Sequence, residues 1–148
     1  MSFTLLQKNL TKNYVPKLTN VFKTNKEWDE QNITKGCYLT LNVKDRLPEE
    51  LIKEITEPFF DSHLLHHLHI LKYPPEGVLD YHDHSAFEVW SFVLYMDNVG
   101  GTIFKTDQDE LFVHSRPNKL IIFDSKIKHK AVNNNQERIV AAGGIIKK

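Results

Sequence analysis

The stretch YHDHSAFEVW, Tyr81 to Trp90, sets His82 and His84 two positions apart, with Asp83 between them and Glu88 four positions after His84. Imidazole and carboxylate side chains in such density are the ligands of transition metals. Successive side chains of an extended strand point to opposite faces, so His82 and His84 share a face and can reach one ion while Asp83 points away. A bulge at the strand end would swing Asp83 inward, at a local backbone cost of about 1–3 kcal/mol. Glu88 is the other alternative for the third position. A metal site also needs a ligand from a remote part of the chain, and His129 is the candidate: it follows His84 by 45 positions, after the run KLIIF and the turn DSKIK. Histidines with a carboxylate and open positions suit non-haem Fe(II), and zinc accepts the same ligand types.

Other histidines and the lone cysteine read differently. The cluster HHLH, His66 to His69, also places two histidines two apart, at His67 and His69, but it has no remote partner and is read as structural or surface. Cys37 is the only cysteine, which excludes an internal disulfide framework. Its surroundings, CYLTLNV, read as a strand in which the thiol is a small apolar filler.

The elements that must position these residues fall into two parts. Residues 1–64 are expected to be N-terminal helices and a strand in a supporting role. In KDRLPEELIKEITEPFF, Pro48 suits the first helical turn, Glu49 and Glu50 favour its positive end, Leu47, Leu51 and Ile55 form one apolar face, and Pro58 stops the helix. Residues 65–148 are expected to be the metal-binding core. From His66 onward the chain consists of short apolar or alternating runs, HHLHILKY, VWSFVLYM, GTIF, ELFVH, KLIIF, AVN and RIVAAGGII. The clusters PPEG, DNVGG, TDQDE, RPNK and NNNQ punctuate them as turns. Eight strands of about 5–6 residues would use half of that region and leave realistic turns, which predicts a closed or double-sheet antiparallel form. The helices are expected to pack outside one sheet.

The 148 residues are expected to be one domain. Hydrophobic residues at 41% and charged residues at 26% are ordinary for a globular chain, and 19 basic against 19 acidic side chains leave no net charge that would draw nucleic acid or a membrane surface. No leader pattern opens the sequence and no apolar run approaches a membrane span, so the protein is expected to be cytoplasmic.

The order of segments LKYPPEGVLDYHDH, SFVLYMDNVGGTIF, RPNKLIIFDSKIKH and AVNNNQERIVAAGGI resembles the 2-oxoglutarate- and Fe(II)-dependent oxygenases, in particular their short prolyl-hydroxylase-like group. The resemblance covers residues 65–147. It implies a double-stranded β-helix, or jelly roll, that binds Fe(II) and 2-oxoglutarate and hydroxylates a C–H bond of a prolyl or other amino-acid, peptide or small-molecule substrate, releasing succinate and CO2. On that resemblance His82, His129 and His84 hold the metal, and Arg138, nine positions after His129, pairs with the far carboxylate of 2-oxoglutarate. A guanidinium suits that task because it can form two parallel hydrogen bonds with a carboxylate. Tyr73 would add a hydroxyl to the same carboxylate, and Tyr95 and Thr102 would line the pocket.

The family's usual third position is an acid, whereas here it is His84. Three imidazoles would leave the iron with one more unit of positive charge than a carboxylate ligand would. HDHSAFE and HKAVN also resemble the metal pattern of cupins, with His82, His84, Glu88 and His129 around one ion; that reading gives Arg138 no task. A third expectation is a catalytically inactive module that only binds a ligand or partner.

Overall fold

The computed structural model describes residues 4–26, 28–30, 37–75, 78–85, 88–107, 109–133 and 135–148. The chain opens with β1 (Leu5–Asn9), α1 (Val15–Thr24), β2 (Trp28–Glu30), β3 (Tyr38–Thr40) and α2 (Glu49–Thr56). Eight strands follow: β4 (His63–Tyr73), β5 (Val78–His82), β6 (Trp90–Tyr95), β7 (Gly101–Lys105), β8 (Glu110–His114), β9 (Lys119–Asp124), β10 (Lys128–Val132) and β11 (Arg138–Lys147). Parts of the expected turns PPEG, TDQDE and NNNQ, at Glu76, Gly77, Gln108 and Asn134, lie outside the described residues.

Among the described residues the strands form two antiparallel sheets. The larger has the order β1-β9-β6-β11-β4-β3-β2, and the smaller has the order β5-β10-β7-β8. Along the chain β4, β6, β9 and β11 belong to the larger sheet and β5, β7, β8 and β10 to the smaller, so the chain passes repeatedly between two facing layers. This is the jelly roll that the strand count and turn spacing predict.

Parity divides each strand of the larger sheet between two apolar clusters, because successive side chains point to opposite faces. Leu71 and Tyr73 of β4, Val93 and Tyr95 of β6, Ile121 and Phe123 of β9 and Val140 of β11 join Phe104, Val113 and Ala131 of the smaller sheet. The alternate residues, Leu68, Ile70, Leu94, Leu120, Ile122 and Ala141, form the other cluster with Leu18 and Val21 of α1 and Leu51 and Ile55 of α2. The buried residues of α1 and α2 thus cluster with larger-sheet residues of the opposite parity to those that meet the smaller sheet.

Two local details differ from expectation or explain a joint. Pro48 stands just before α2 rather than inside its first turn: its ψ is 138°, and its carbonyl accepts from Leu51 N and Ile52 N. A proline carbonyl can open the helix in this way although its own backbone is extended. Helix α2 ends at Thr56, and Pro58 sits in the short 3-10 turn Glu57–Phe59 that follows. Asn118 occupies the left-handed region with φ 70°, a conformation asparagine tolerates better than most residues. Its side chain accepts from Tyr14 N at 3.1 Å and donates to Lys12 O at 2.6 Å, tying the segment before α1 to the start of β9. No described helix is long and apolar enough to cross a membrane.

Candidate metal centre and cavity

The three histidines converge because two strands of the smaller sheet run side by side. His82, the last residue of β5, stands directly opposite His129 of β10, and a register shift follows between His129 and Ala131. Just beyond β5 the backbone N–H of His84 donates to Ser125 O at 3.0 Å, which turns the chain back toward the start of β10. The ring centroids of His82 and His129 are 4.2 Å apart, those of His82 and His84 4.9 Å, and those of His84 and His129 5.1 Å. One nitrogen from each ring lies within 4.8 Å of the others. Nitrogens bound to one ion at ~2.1 Å stand at most about 4.2 Å apart, so small side-chain rotations would close the three rings on a metal.

Electrostatics favour the neutral, ligating form of the buried rings. Burial and the neighbouring His82 push the His129 pKa down to about 3, and burial and His82 push His84 down to about 4. His129 Nδ1 lies 3.1 Å from the carbonyl oxygen of Ile127, which can only accept, so Nδ1 carries the proton and Nε2 is left free to bind.

The two acids take other places. Asp83 is exposed; its Oδ1 accepts from Ser85 N at 3.2 Å and Ser85 Oγ at 2.9 Å, and these bonds hold its pKa below the usual carboxylate value. Glu88 is buried, but its Oε2 accepts from Ser91 Oγ and its Oε1 lies 3.5 Å from His67 Nε2, so its carboxylate is outside the three-histidine group.

The triad opens on a cavity of about 340 Å³ between the two sheets. Leu71, Val93, Phe123 and Val140 form its apolar wall, and Arg138 closes part of it. Arg138 stands opposite Tyr73 in the β11–β4 pairing and is only 1% exposed. Its guanidinium carbon lies 5.5 Å from the ring centres of both Tyr73 and Tyr95, which gives it two aromatic faces. Among the described residues its Nε and Nη1 have no hydrogen-bond partner. Such a buried cation is costly unless something else pairs with it, so an anion bound in the cavity fits this arginine. Burial pushes the Tyr73 phenol up, against the opposing effect of Arg138, which keeps the hydroxyl a donor at neutral pH. Tyr95 and Thr102 share a buried hydrogen bond of 2.7 Å, and Thr102 lines the cavity.

The residue types therefore fit both an iron and a dicarboxylate: imidazole nitrogens for the first, an unpaired buried guanidinium for the second. Of the HHLH cluster, His66 is exposed, whereas His67 and His69 line the cavity. They share strand parity with Leu71 and Tyr73, and that parity was the signal in the sequence that pointed inward. Ser91, with the parity of Val93 and Tyr95, was not singled out.

No protein-family model matches the sequence, and no curated protein matches it in sequence. Solved structures do match the fold. A prolyl-4-hydroxylase from Pseudomonas putida superposes with a TM-score of 0.74 at 18% identity, covering 99% of this chain and 94% of that one. HygX from Streptomyces hygroscopicus, with nickel and 2-oxoglutarate bound, gives 0.77 at 10% identity over 96% of this chain and 82% of that one. The viral collagen prolyl hydroxylase of Paramecium Bursaria Chlorella virus-1, a 2-oxoglutarate complex, gives 0.63 at 13% identity over 97% and 96%. Over nearly its whole length, then, the chain has the jelly-roll fold of the 2-oxoglutarate- and Fe(II)-dependent oxygenases.

Proposed function

We propose that the protein is an Fe(II)- and 2-oxoglutarate-dependent oxygenase that hydroxylates a C–H bond of an amino-acid, peptide or other small-molecule substrate, with succinate and CO2 as co-products. The observation that carries this reading is Arg138: a buried guanidinium with unpaired nitrogens, on the wall of the same cavity that holds three convergent imidazoles.

His82, His84 and His129 would hold the iron through one ring nitrogen each. Bound Fe(II), with 2-oxoglutarate and dioxygen, supplies the oxidising power, which is the cofactor's chemistry rather than the protein's. Arg138 receives the far carboxylate of 2-oxoglutarate through charge-assisted hydrogen bonds, and the Tyr73 hydroxyl donates to the same group. Leu71, Val93, Phe123 and Val140 exclude water around it. Residues 65–148 form the metal-binding core, and residues 1–64 support it from the outer face of the larger sheet. Among the matching structures, one is a prolyl hydroxylase from Trichoplax adhaerens in complex with a peptide fragment and another is HygX with hygromycin B. A fold that serves both a peptide and a small molecule leaves either class open to this chain.

An anaerobic titration of the metal-free protein with Fe(II), before and after adding 2-oxoglutarate, tests the reading. A visible charge-transfer band that needs both, and that weakens in Arg138→Ala, is expected. Iron binding with no response to 2-oxoglutarate would favour the cupin-like alternative, and no iron binding would leave an inactive binding module. The cupin-like arrangement is the weaker reading, because the Glu88 carboxylate is engaged by Ser91 and lies beside His67.

A further inference from the structure

The cavity has a second polar region that the iron and 2-oxoglutarate do not use. Its centre is Glu88, 7% exposed, with a carboxylate that packs against β11 at Gly144. A Cβ added at Gly144 would collide with Oε1 and Cδ of Glu88, so the carboxylate occupies the space that a glycine leaves open. Across the pairing of β11 with β4 and β6, Gly144 stands opposite His67 and Ser91, whereas Arg138 stands opposite Tyr73. The two regions are six residues apart on β11, which is about 20 Å along an extended strand. A five-carbon dicarboxylate built from ~1.5 Å bonds spans about 7 Å, so one held by Arg138 does not reach Glu88.

The polar groups around Glu88 are Ser91, which donates to Oε2, and the imidazoles of His67 and His69. His69 Nδ1 lies 2.7 Å from the carbonyl oxygen of Thr40, which can only accept, so Nδ1 donates there and Nε2 is left for another partner. His69 and Glu88 both line the cavity. His67 Nε2 is 3.5 Å from Glu88 Oε1, longer than a charge-assisted hydrogen bond of about 2.7–2.9 Å. Among the described residues no lysine or arginine forms an ion pair with Glu88. A buried carboxylate and an imidazole acceptor without a cation leave a position for a ligand that has a positive charge and several N–H donors.

We propose that the Glu88 region of the cavity binds a cationic group of the substrate, an ammonium or guanidinium, with Glu88 as its counter-ion and His69 as a second acceptor. The proposal rests on the oxygenase reading for the word substrate, and its test is arranged to separate the two. The Fe(II)-loaded protein is held anaerobically at pH 8, with and without 2-oxoglutarate, and titrated calorimetrically with n-butylguanidine and n-butylamine and with their neutral counterparts n-butylurea and n-butanol. The cations are expected to bind at least 10-fold more tightly than the neutral pair, and Glu88→Gln is expected to reduce that preference to less than threefold while keeping the 2-oxoglutarate band. Gly144→Ala, whose methyl displaces the carboxylate without changing any charge, should lower the same preference if Glu88→Gln fails to fold. Equal affinities in the wild type, a preference that survives Glu88→Gln, or loss of the 2-oxoglutarate band in that variant would overturn the proposal. A wild-type protein without the band that still prefers the cations would overturn the oxygenase reading and leave the cation site standing.

Discussion

His129 lies directly across from His82 in the pairing of β10 with β5, with ring centroids 4.2 Å apart. Two strands remote in sequence thus present their imidazoles at one point, and His84 joins them from the turn that follows β5. Replacing His129 with alanine should weaken Fe(II) or Co(II) binding by a factor of about 100 or more, since even residues that merely orient a ligand cost 10–100-fold. The thermal midpoint of the metal-free protein should change little or rise. Calorimetric metal titration and a melting curve on the same sample check both parts, and unaltered metal affinity would remove His129 from the site.

Asp83 and His84 make opposite predictions. The Asp83 carboxylate is exposed and bonded to Ser85, so Asp83→Ala should leave metal affinity within about twofold, whereas His84→Ala should lower it about 100-fold. If the two variants behave the other way round, the strand end rearranges on binding and the acid is the ligand.

Arg138 is expected to affect stability and cosubstrate binding in opposite directions. Its cation is buried and its Nε and Nη1 have no hydrogen-bond partner among the described residues, so Arg138→Met should stabilise the metal-free protein by about 1–3 kcal/mol. The same change should weaken 2-oxoglutarate by a factor of at least about 100, since each hydrogen bond to a charged group contributes about 1.5–3 kcal/mol. Denaturant unfolding and a 2-oxoglutarate titration of the Fe(II)-loaded variant measure the two effects.

The metal-free protein should lose stability as pH falls. His67, His84 and His129 have pKa values depressed from 6.5, to about 4, about 4 and about 3, so below pH 6.5 the unfolded chain takes up three protons that the native state refuses. Glu88 acts oppositely: raised from 4.5 to about 7, it holds a proton in the native state that the unfolded chain releases, a contribution lost as pH rises through 7. Between pH 6.5 and 4.5 the unfolded state therefore binds two more protons net, and stability should fall by roughly 2 kcal/mol per pH unit. Urea unfolding of metal-free protein at pH 7.5, 6.0 and 5.0 checks the slope, and His129→Asn should make it shallower.

Cys37 is fully buried, and burial pushes its thiol up to about 11. The thiolate is the reactive form, so the native protein at pH 8 should resist a thiol reagent that labels the urea-unfolded chain within minutes. Rapid labelling of the native protein would show that the segment around Cys37 opens.

Much of this was written in local patterns. Alternation and turn residues sufficed for the strands from β4 to β11, since a half-buried strand repeats every two residues whatever it pairs with. The same period explains why His82 and His84 could be matched to one face before any fold was known, with Asp83 and Glu88 kept as alternatives for the third ligand. Helix α2 was legible from the four-residue recurrence of Leu47, Leu51 and Ile55. The strand β1 and the helix α1 were not, because the pairing of β1 with β9 and the anchoring of Tyr14 by Asn118 depend on a partner more than 100 residues away.

The sequence by itself determined the types of group available: a histidine pair at strand spacing, a distant third histidine, and an arginine at the start of the last strand. Only the tertiary structure decided which of them meet. It set His129 against His82, left Nε and Nη1 of Arg138 without a hydrogen-bond partner among the described residues beside two tyrosines, and turned Glu88 away from the triad toward Ser91 and His67. It also brought His67 and His69 into the cavity. Those outcomes depend on strand pairing between residues far apart in the chain, and on the space above Gly144 that admits a carboxylate, neither of which a one-dimensional pattern records.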